Sequence, residues 1–108
     1  MSIRAKTVGH LALLGVITKE DGQYVSVCPQ LGVASCGDTV EEATTNLKDA
    51  VAAYVDALQE TGELKRVLSE RGLRVTAKSP PKSKSAPIPT GSFVALFDQE
   101  IPLALLAA

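Results

Sequence analysis

Residues 35–51 read SCGDTVEEATTNLKDAV, and this stretch decides the fold because it contains the start of the longest predicted helix. Thr39 and Glu42 have the spacing of a capping box, in which the Thr hydroxyl accepts from a first-turn amide and the Glu reaches back. Apolar residues then recur at about 100° per residue on one stripe, and Gly62 stands where helices commonly end. The pattern predicts an amphipathic helix over residues 40–61. Its apolar stripe consists of Val40, Ala43, Leu47, Ala50, Val51, Tyr54 and Leu58.

The residues before this helix have the alternation and turn signals of short β-strands. Residues 8–18 form a β-compatible apolar run, Asp21-Gly22 marks a tight turn, and residues 24–28 form the returning strand. Residues 33–36 make a third short strand. The chain therefore predicts an α+β fold, in which an antiparallel sheet of three to four strands carries one long helix on one face.

The first strand is apolar on both of its faces, because side chains alternate across a strand. The two sets are Leu11, Leu13 and Ile17 on one face, and Ala12, Leu14 and Val16 on the other. A sheet that is apolar on both sides needs two covers, and one long helix supplies only one of them. We therefore expect a second subunit, or the C-terminal segment, to cover the other face, and the chain to be a homodimer or a higher homo-oligomer.

The rest of the chain divides by composition. After the long helix, residues 63–71 predict a short second helix and residues 73–77 a fourth strand. We assign residues 1–77 to one domain. Residues 78–91 are rich in Pro, Ser and Lys and predict an extended linker. Residues 92–108 then form a strand-like apolar C-terminal segment.

Charge is distributed unevenly along the chain. Residues 38–63 contain seven acidic residues against Lys48 alone, a balance of −6, whereas residues 64–84 have seven basic residues against Glu70, a balance of +6. Such blocks indicate charged partners or contacts between subunits. On the helical wheel, four carboxylates lie opposite the apolar stripe, and we predict that they bind a partner: Glu42, Asp49, Asp56 and Glu60.

No set of residues predicts catalysis, a cofactor or a metal site. Carboxylates on a solvent-facing stripe lack the dry, concave setting that catalytic groups need. His10 is expected to be structural. Cys28 and Cys36 have no metal-binding spacing and are expected to be buried and reduced, although a disulfide between neighbouring strands stays open. The apolar termini are too short to span a bilayer, which predicts a cytoplasmic protein.

Residues 24–64, YVSVCPQLGVASCGDTVEEATTNLKDAVAAYVDALQETGEL, resemble the HicB family of type II antitoxins. That family typically has a strand ending at Pro, a loop with Gly, a third strand, and then G-D-T-x-x-E-A opening a helix with an Asn. The matching positions are Tyr24, Val25, Val27, Pro29, Leu31, Gly32, Gly37, Asp38, Thr39, Glu42, Ala43, Asn46 and Ala50.

The resemblance implies a partial RNase-H-like fold without nuclease function. It also implies a partner, a HicA-like toxin, which is a small basic ribonuclease that cuts mRNA and that the antitoxin silences by direct contact. Sequence-specific DNA binding is not expected, because residues 92–108 are too few for the DNA-binding domain that many members have. The alternative is a stand-alone HicB-like scaffold or small-ligand-binding protein without a toxin. A neighbouring gene for a small basic protein would separate the two.

Overall fold

The computed structural model describes residues 8–78, 80, 86–88 and 91–102, which form one antiparallel sheet with two helices on one of its faces. The elements in chain order are β1 (Val8–Glu20), β2 (Gln23–Cys28), β3 (Val33–Gly37), α1 (Val40–Thr61), α2 (Leu64–Glu70), β4 (Ala86–Pro87) and β5 (Phe93–Pro102). The strand order is β3-β2-β1-β5-β4. The predicted α+β class, with a long helix on an antiparallel sheet, is confirmed, and the sheet has five strands rather than three or four.

The β1–β2 hairpin is confirmed, including its turn. Asp21 and Gly22 have φ angles of 50° and 82°, the positive values that a two-residue type I′ turn requires. The strands leave this turn with Glu20 opposite Gln23 and continue to the Val16–Val27 pair. This register places the even-numbered residues of β1 on one face of the sheet and the odd-numbered ones on the other.

The C-terminal strand β5 makes β1 the centre of the sheet. It pairs along almost the whole of β1, from Val8 opposite Pro102 to Ile17 opposite Phe93. The C-terminal segment, predicted to be strand-like, thus contains a strand, which continues beyond its apolar residues. It extends the sheet sideways, however, and does not cover the second face.

The predicted strand over residues 73–77 is wrong in its extent, because only Thr76 pairs with β1. Thr76 and His10 exchange two backbone hydrogen bonds of 2.7 and 2.9 Å. Continuing this antiparallel register would place Arg74 opposite Ala12. At that edge, however, the Leu14 N–H donates to the Gln30 side-chain oxygen at 2.6 Å, and the Gln30 amide donates to the Ala12 carbonyl at 3.4 Å. The Gln30 side chain takes the place of a pairing strand.

Helix α1 begins and ends at the predicted residues, because both of its ends are capped. The Glu42 N–H donates to the Thr39 hydroxyl at 3.0 Å, and the Glu42 carboxylate accepts from the Asp38 N–H at 2.6 Å. Gly62 ends the helix in the left-handed conformation, with φ of 75°. The predicted short second helix is also present as α2.

The core lies between α1 and the odd-numbered side of β1. Among its fully buried residues are Leu11, Leu13, Ile17, Leu47, Val51, Val55 and Ile101. Three residues of the predicted helix stripe, Val40, Ala50 and Tyr54, are only half-buried, whereas Val55, outside that stripe, is buried. The one buried polar residue of the described part of the chain is Ser26, whose hydroxyl donates to the Ala43 carbonyl at 2.8 Å and so links β2 to α1.

The two cysteines lie on opposite faces of the sheet. Cys28 is buried, as predicted, and its burial raises the pKa of the thiol. Cys36 is exposed, so the prediction of burial was wrong there. It pairs with Val25, which lies three residues before Cys28 on β2 and therefore points to the other face. This arrangement excludes a disulfide between them.

Gly37 lets the end of β3 approach the first turn of α1. A Cβ atom at Gly37 would lie 2.6 Å from the Ala43 nitrogen, and at Gly15 it would lie 2.9 Å from Leu47 Cδ2. The first neighbour is backbone and cannot move alone, whereas the second is the end of a side chain.

We predict that Gly37→Ala lowers the free energy of unfolding by about 1–3 kcal/mol in urea denaturation, and that Gly15→Ala lowers it by less. Equal losses for the two variants would contradict this reading of the packing.

Candidate functional site

The four predicted partner-binding carboxylates all lie exposed on the outward side of α1. We call Glu42, Asp49, Asp56 and Glu60 the acidic stripe. Glu42 and Glu60 are 18 positions apart in the helix, which corresponds to about 27 Å at about 1.5 Å per residue. The opposite side of the helix is the one that packs on the sheet. Neither of the helices in the described ranges has the combination of length and apolarity that crossing a membrane requires.

Glu42 differs from the other three members of the acidic stripe, because it also holds the helix start. Its carboxylate accepts the Asp38 N–H, and its own N–H donates to Thr39, as described above. Asp49 and Asp56 lie in the middle of the helix, where no cap depends on them. They are therefore the members whose charge can be changed with the least effect on folding.

The cations near the helix do not neutralise the acidic stripe. Lys48 is the one Lys or Arg within α1. Arg66 forms ion pairs with Glu63 at 3.1 Å and with Glu70 at 3.0 Å, and both partners lie close to it in sequence, at the start and the end of α2. Among the residues that the structure describes, no ion pair involves a member of the stripe. The stripe therefore presents its negative charge to solvent.

Two of the surface grooves that described residues line flank the helices, and the acidic stripe lines neither of them. One, of about 440 Å³, lies at the start of α1 between Tyr24, Glu41 and Phe93. The other, of about 300 Å³, lies between α2 and the chain that follows it, beside Leu68 and Val75. Neither groove brings together the nucleophile, base and oxyanion donors that a hydrolytic site needs.

The second face of the sheet is apolar, and in the described part of the chain neither helix packs on it. We call it the open face, and its residues include Ala12, Leu14, Val16, Val25, Val27, Ala34, Cys36 and Val94. Both helices contribute their buried residues to the core on the other side. Leu14 is 38% exposed, the highest value for a large hydrophobic residue in the described ranges. The two-sided apolar pattern of β1 is thus present in the fold.

At one end of the open face lies a polar cluster that the sequence analysis missed. His10 on β1 hydrogen-bonds through Nδ1 to Asp98 Oδ2 on β5 at 2.8 Å, and Glu100 lies directly opposite His10. The expectation of a structural histidine with a satisfied ring agrees with this contact. The missing signal was the pairing of β1 with β5, since 88 residues separate His10 from Asp98 in the chain.

Comparison with known proteins identifies the family. A family model described as HicB-like antitoxin of bacterial toxin–antitoxin systems matches residues 14–80. A UPF0150 protein of Synechocystis sp. is 38% identical over 60 residues, covering 54% of this chain and 73% of that protein. A UPF0150 protein of Thermoplasma acidophilum is 44% identical over 50 residues, covering 44% of this chain and 72% of that protein. No solved structure gives a significant match. The family match covers more than half of the chain, and the chain therefore belongs to the HicB-like antitoxins of bacterial toxin–antitoxin systems.

Proposed function

We propose that this chain is a non-catalytic, cytoplasmic antitoxin that silences a HicA-like toxin, a small basic ribonuclease, by direct contact with the acidic stripe. The observation that carries the proposal is the exposure of all four carboxylates along about 27 Å of α1, without a described ion pair to any of them. Membership of an antitoxin family supports a protein toxin as the partner.

The mechanism that fits this surface is electrostatic attraction followed by close contact. A row of like charges produces a field that steers an oppositely charged partner and raises the association rate. Each exposed charge contributes only a modest part of the final affinity, because water and salt screen it. The acidic stripe is thus suited to rapid capture of a cationic toxin and to the selection of that partner over acidic proteins.

We predict that Asp49→Lys combined with Asp56→Lys slows association with the cognate toxin by about 10- to 100-fold at low salt, measured by stopped-flow mixing. Wild-type association should slow steeply as salt is added, because the Debye length falls to about 8 Å at physiological ionic strength. The difference between variant and wild type should shrink over the same range.

The matched control is Glu20→Lys combined with Glu70→Lys, which changes the net charge equally at exposed positions on β1 and α2. It should leave the association rate close to that of the wild type. Circular dichroism checks that α1 stays helical in both variants. Unchanged association in the helix variant, with its helicity preserved, would contradict the proposal and move the interface to a sheet edge.

We also propose that the chain is a homodimer in which the open face of one sheet covers that of another. The support is the apolar character of this face. The described C-terminal strand lies beside β1 in the sheet and leaves the face available. Burying aliphatic side chains stabilises association by roughly 25 cal/mol per Å² of apolar surface before its costs are counted.

We predict that analytical ultracentrifugation at micromolar concentration finds a dimer, and that Leu14→Lys shifts it toward monomer, because the change places a charge at the most exposed large hydrophobic residue of the open face. Ala57→Lys, at an exposed position of α1, adds the same charge elsewhere and should leave the dimer intact. A compact wild-type monomer at these concentrations would overturn the dimer. A Leu14→Lys variant as dimeric as the wild type would exclude this face as the interface.

A further inference from the structure

We propose that His10, Asp98 and Glu100 form a binding site for a divalent transition-metal ion, best matched by Zn²⁺, that ties β5 to β1. One ligand atom from each of the three residues lies within 4.8 Å of the others. An imidazole nitrogen and carboxylate oxygens are among the donors that Zn²⁺ takes in proteins, and three protein ligands leave a fourth position for water. The proposal is independent of toxin binding, since the acidic stripe lies on α1.

The sheet register holds the three side chains together. His10 lies directly opposite Glu100, and Asp98 lies opposite Ala12, two positions further along β1. All three side chains therefore project from the same face, at one end of the central pair of strands. Ala12 is small and leaves space beside Asp98, so that this carboxylate reaches diagonally to His10.

Asp98 provides a second observation that points to a cation-binding site. Its Oδ2 atom contacts His10 Nδ1 at 2.8 Å. Its other oxygen, Oδ1, is shielded from solvent and has no hydrogen-bond partner in the described part of the chain. A carboxylate oxygen that is shielded from solvent and has no hydrogen-bond partner is unfavourable, because it has lost water without gaining another donor. A cation at this oxygen would remove that cost.

The geometry needs only small movements to accept the ion. Ligand bonds of about 2.0–2.2 Å in a tetrahedron place the donor atoms about 3.3–3.6 Å apart. The His10–Asp98 contact must therefore open slightly, with the metal replacing the proton between the two groups. Glu100 is exposed and can change rotamer to close the remaining distance. Mg²⁺ is a poor match, because it prefers oxygen ligands and octahedral geometry.

The chain offers an unambiguous probe, because His10 is its one histidine. The test is a titration of the full chain with ZnCl₂, followed by the ring resonances of His10 in NMR, in a Cys36→Ser background that removes the exposed thiol. We expect the His10 signals to shift and saturate at one Zn²⁺ per chain. With free Zn²⁺ at about 100 times the dissociation constant, the unfolding equilibrium constant should fall about 100-fold, which raises the thermal midpoint. MgCl₂ should do neither.

The variant pair is Asp98→Asn and Asp21→Asn, which make the same substitution in the cluster and in the exposed β1–β2 turn. Asp98→Asn should abolish the Zn²⁺-dependent shift of His10 and the rise in thermal midpoint, and Asp21→Asn should keep both. Glu100→Gln, at an exposed position, serves if Asp98→Asn does not fold, and should weaken Zn²⁺ binding at least tenfold. The proposal would be overturned if the His10 resonances did not shift in excess Zn²⁺. It would also be overturned if Zn²⁺ changed the His10 resonances and the thermal midpoint equally in the wild type and in Asp98→Asn.

Discussion

The burial of one side of α1 against the odd-numbered side of β1 is the interaction on which the rest of the structure depends. Leu47, Val51 and Val55 meet Leu11 and Leu13 in the core, and each is at most 1% exposed. Burial of an aliphatic side chain of this size contributes about 1.5–3 kcal/mol. Once this contact is made, the outward side of the helix faces solvent and the even-numbered side of β1 faces away from the helices. The two surfaces proposed to bind partners, the acidic stripe and the open face, are therefore fixed by this contact.

The same packing contact explains how the two proposed partner surfaces keep a fixed arrangement of side chains. The helix caps at Thr39 and Gly62 determine where α1 begins and ends, so its charged side chains keep fixed spacings along the surface. The sheet register in turn fixes the order of apolar and polar side chains on the open face. The partner specificity that we propose therefore depends on the placement of ordinary Asp, Glu, Leu and Val residues. This dependence on placement is consistent with membership of an antitoxin family.

Local features were predicted well from the sequence because their signals are local. The bounds of α1 follow from Thr39, Glu42 and Gly62, and the hairpin follows from Asp21-Gly22, all within a few residues of the structure they specify. The exposure of the acidic stripe follows from helical periodicity alone. The family was also recognisable, since the motif around Gly37 and Asp38 is continuous in the chain.

Contacts between distant residues were not predictable in the same way. Nothing near Phe93–Pro102 encodes its register with β1, and without that register the meeting of His10 with Asp98 stays hidden. The strand predicted over residues 73–77 shrinks to one bridge because Gln30, more than 40 residues earlier, occupies the edge with its side chain. Cys36 was predicted to be buried because its neighbours are apolar. It pairs with Val25, however, and its side chain therefore lies on the open face.

The most direct test of the central claim, that the outward side of α1 is the partner surface, is an NMR titration of the ¹⁵N-labelled chain with a HicA-like toxin. We expect backbone signals to shift along α1, around Asp49, Ala53 and Asp56, and those of β3 to stay in place. Shifts confined to β3, around Ala34 and Cys36, with α1 unchanged, would contradict it.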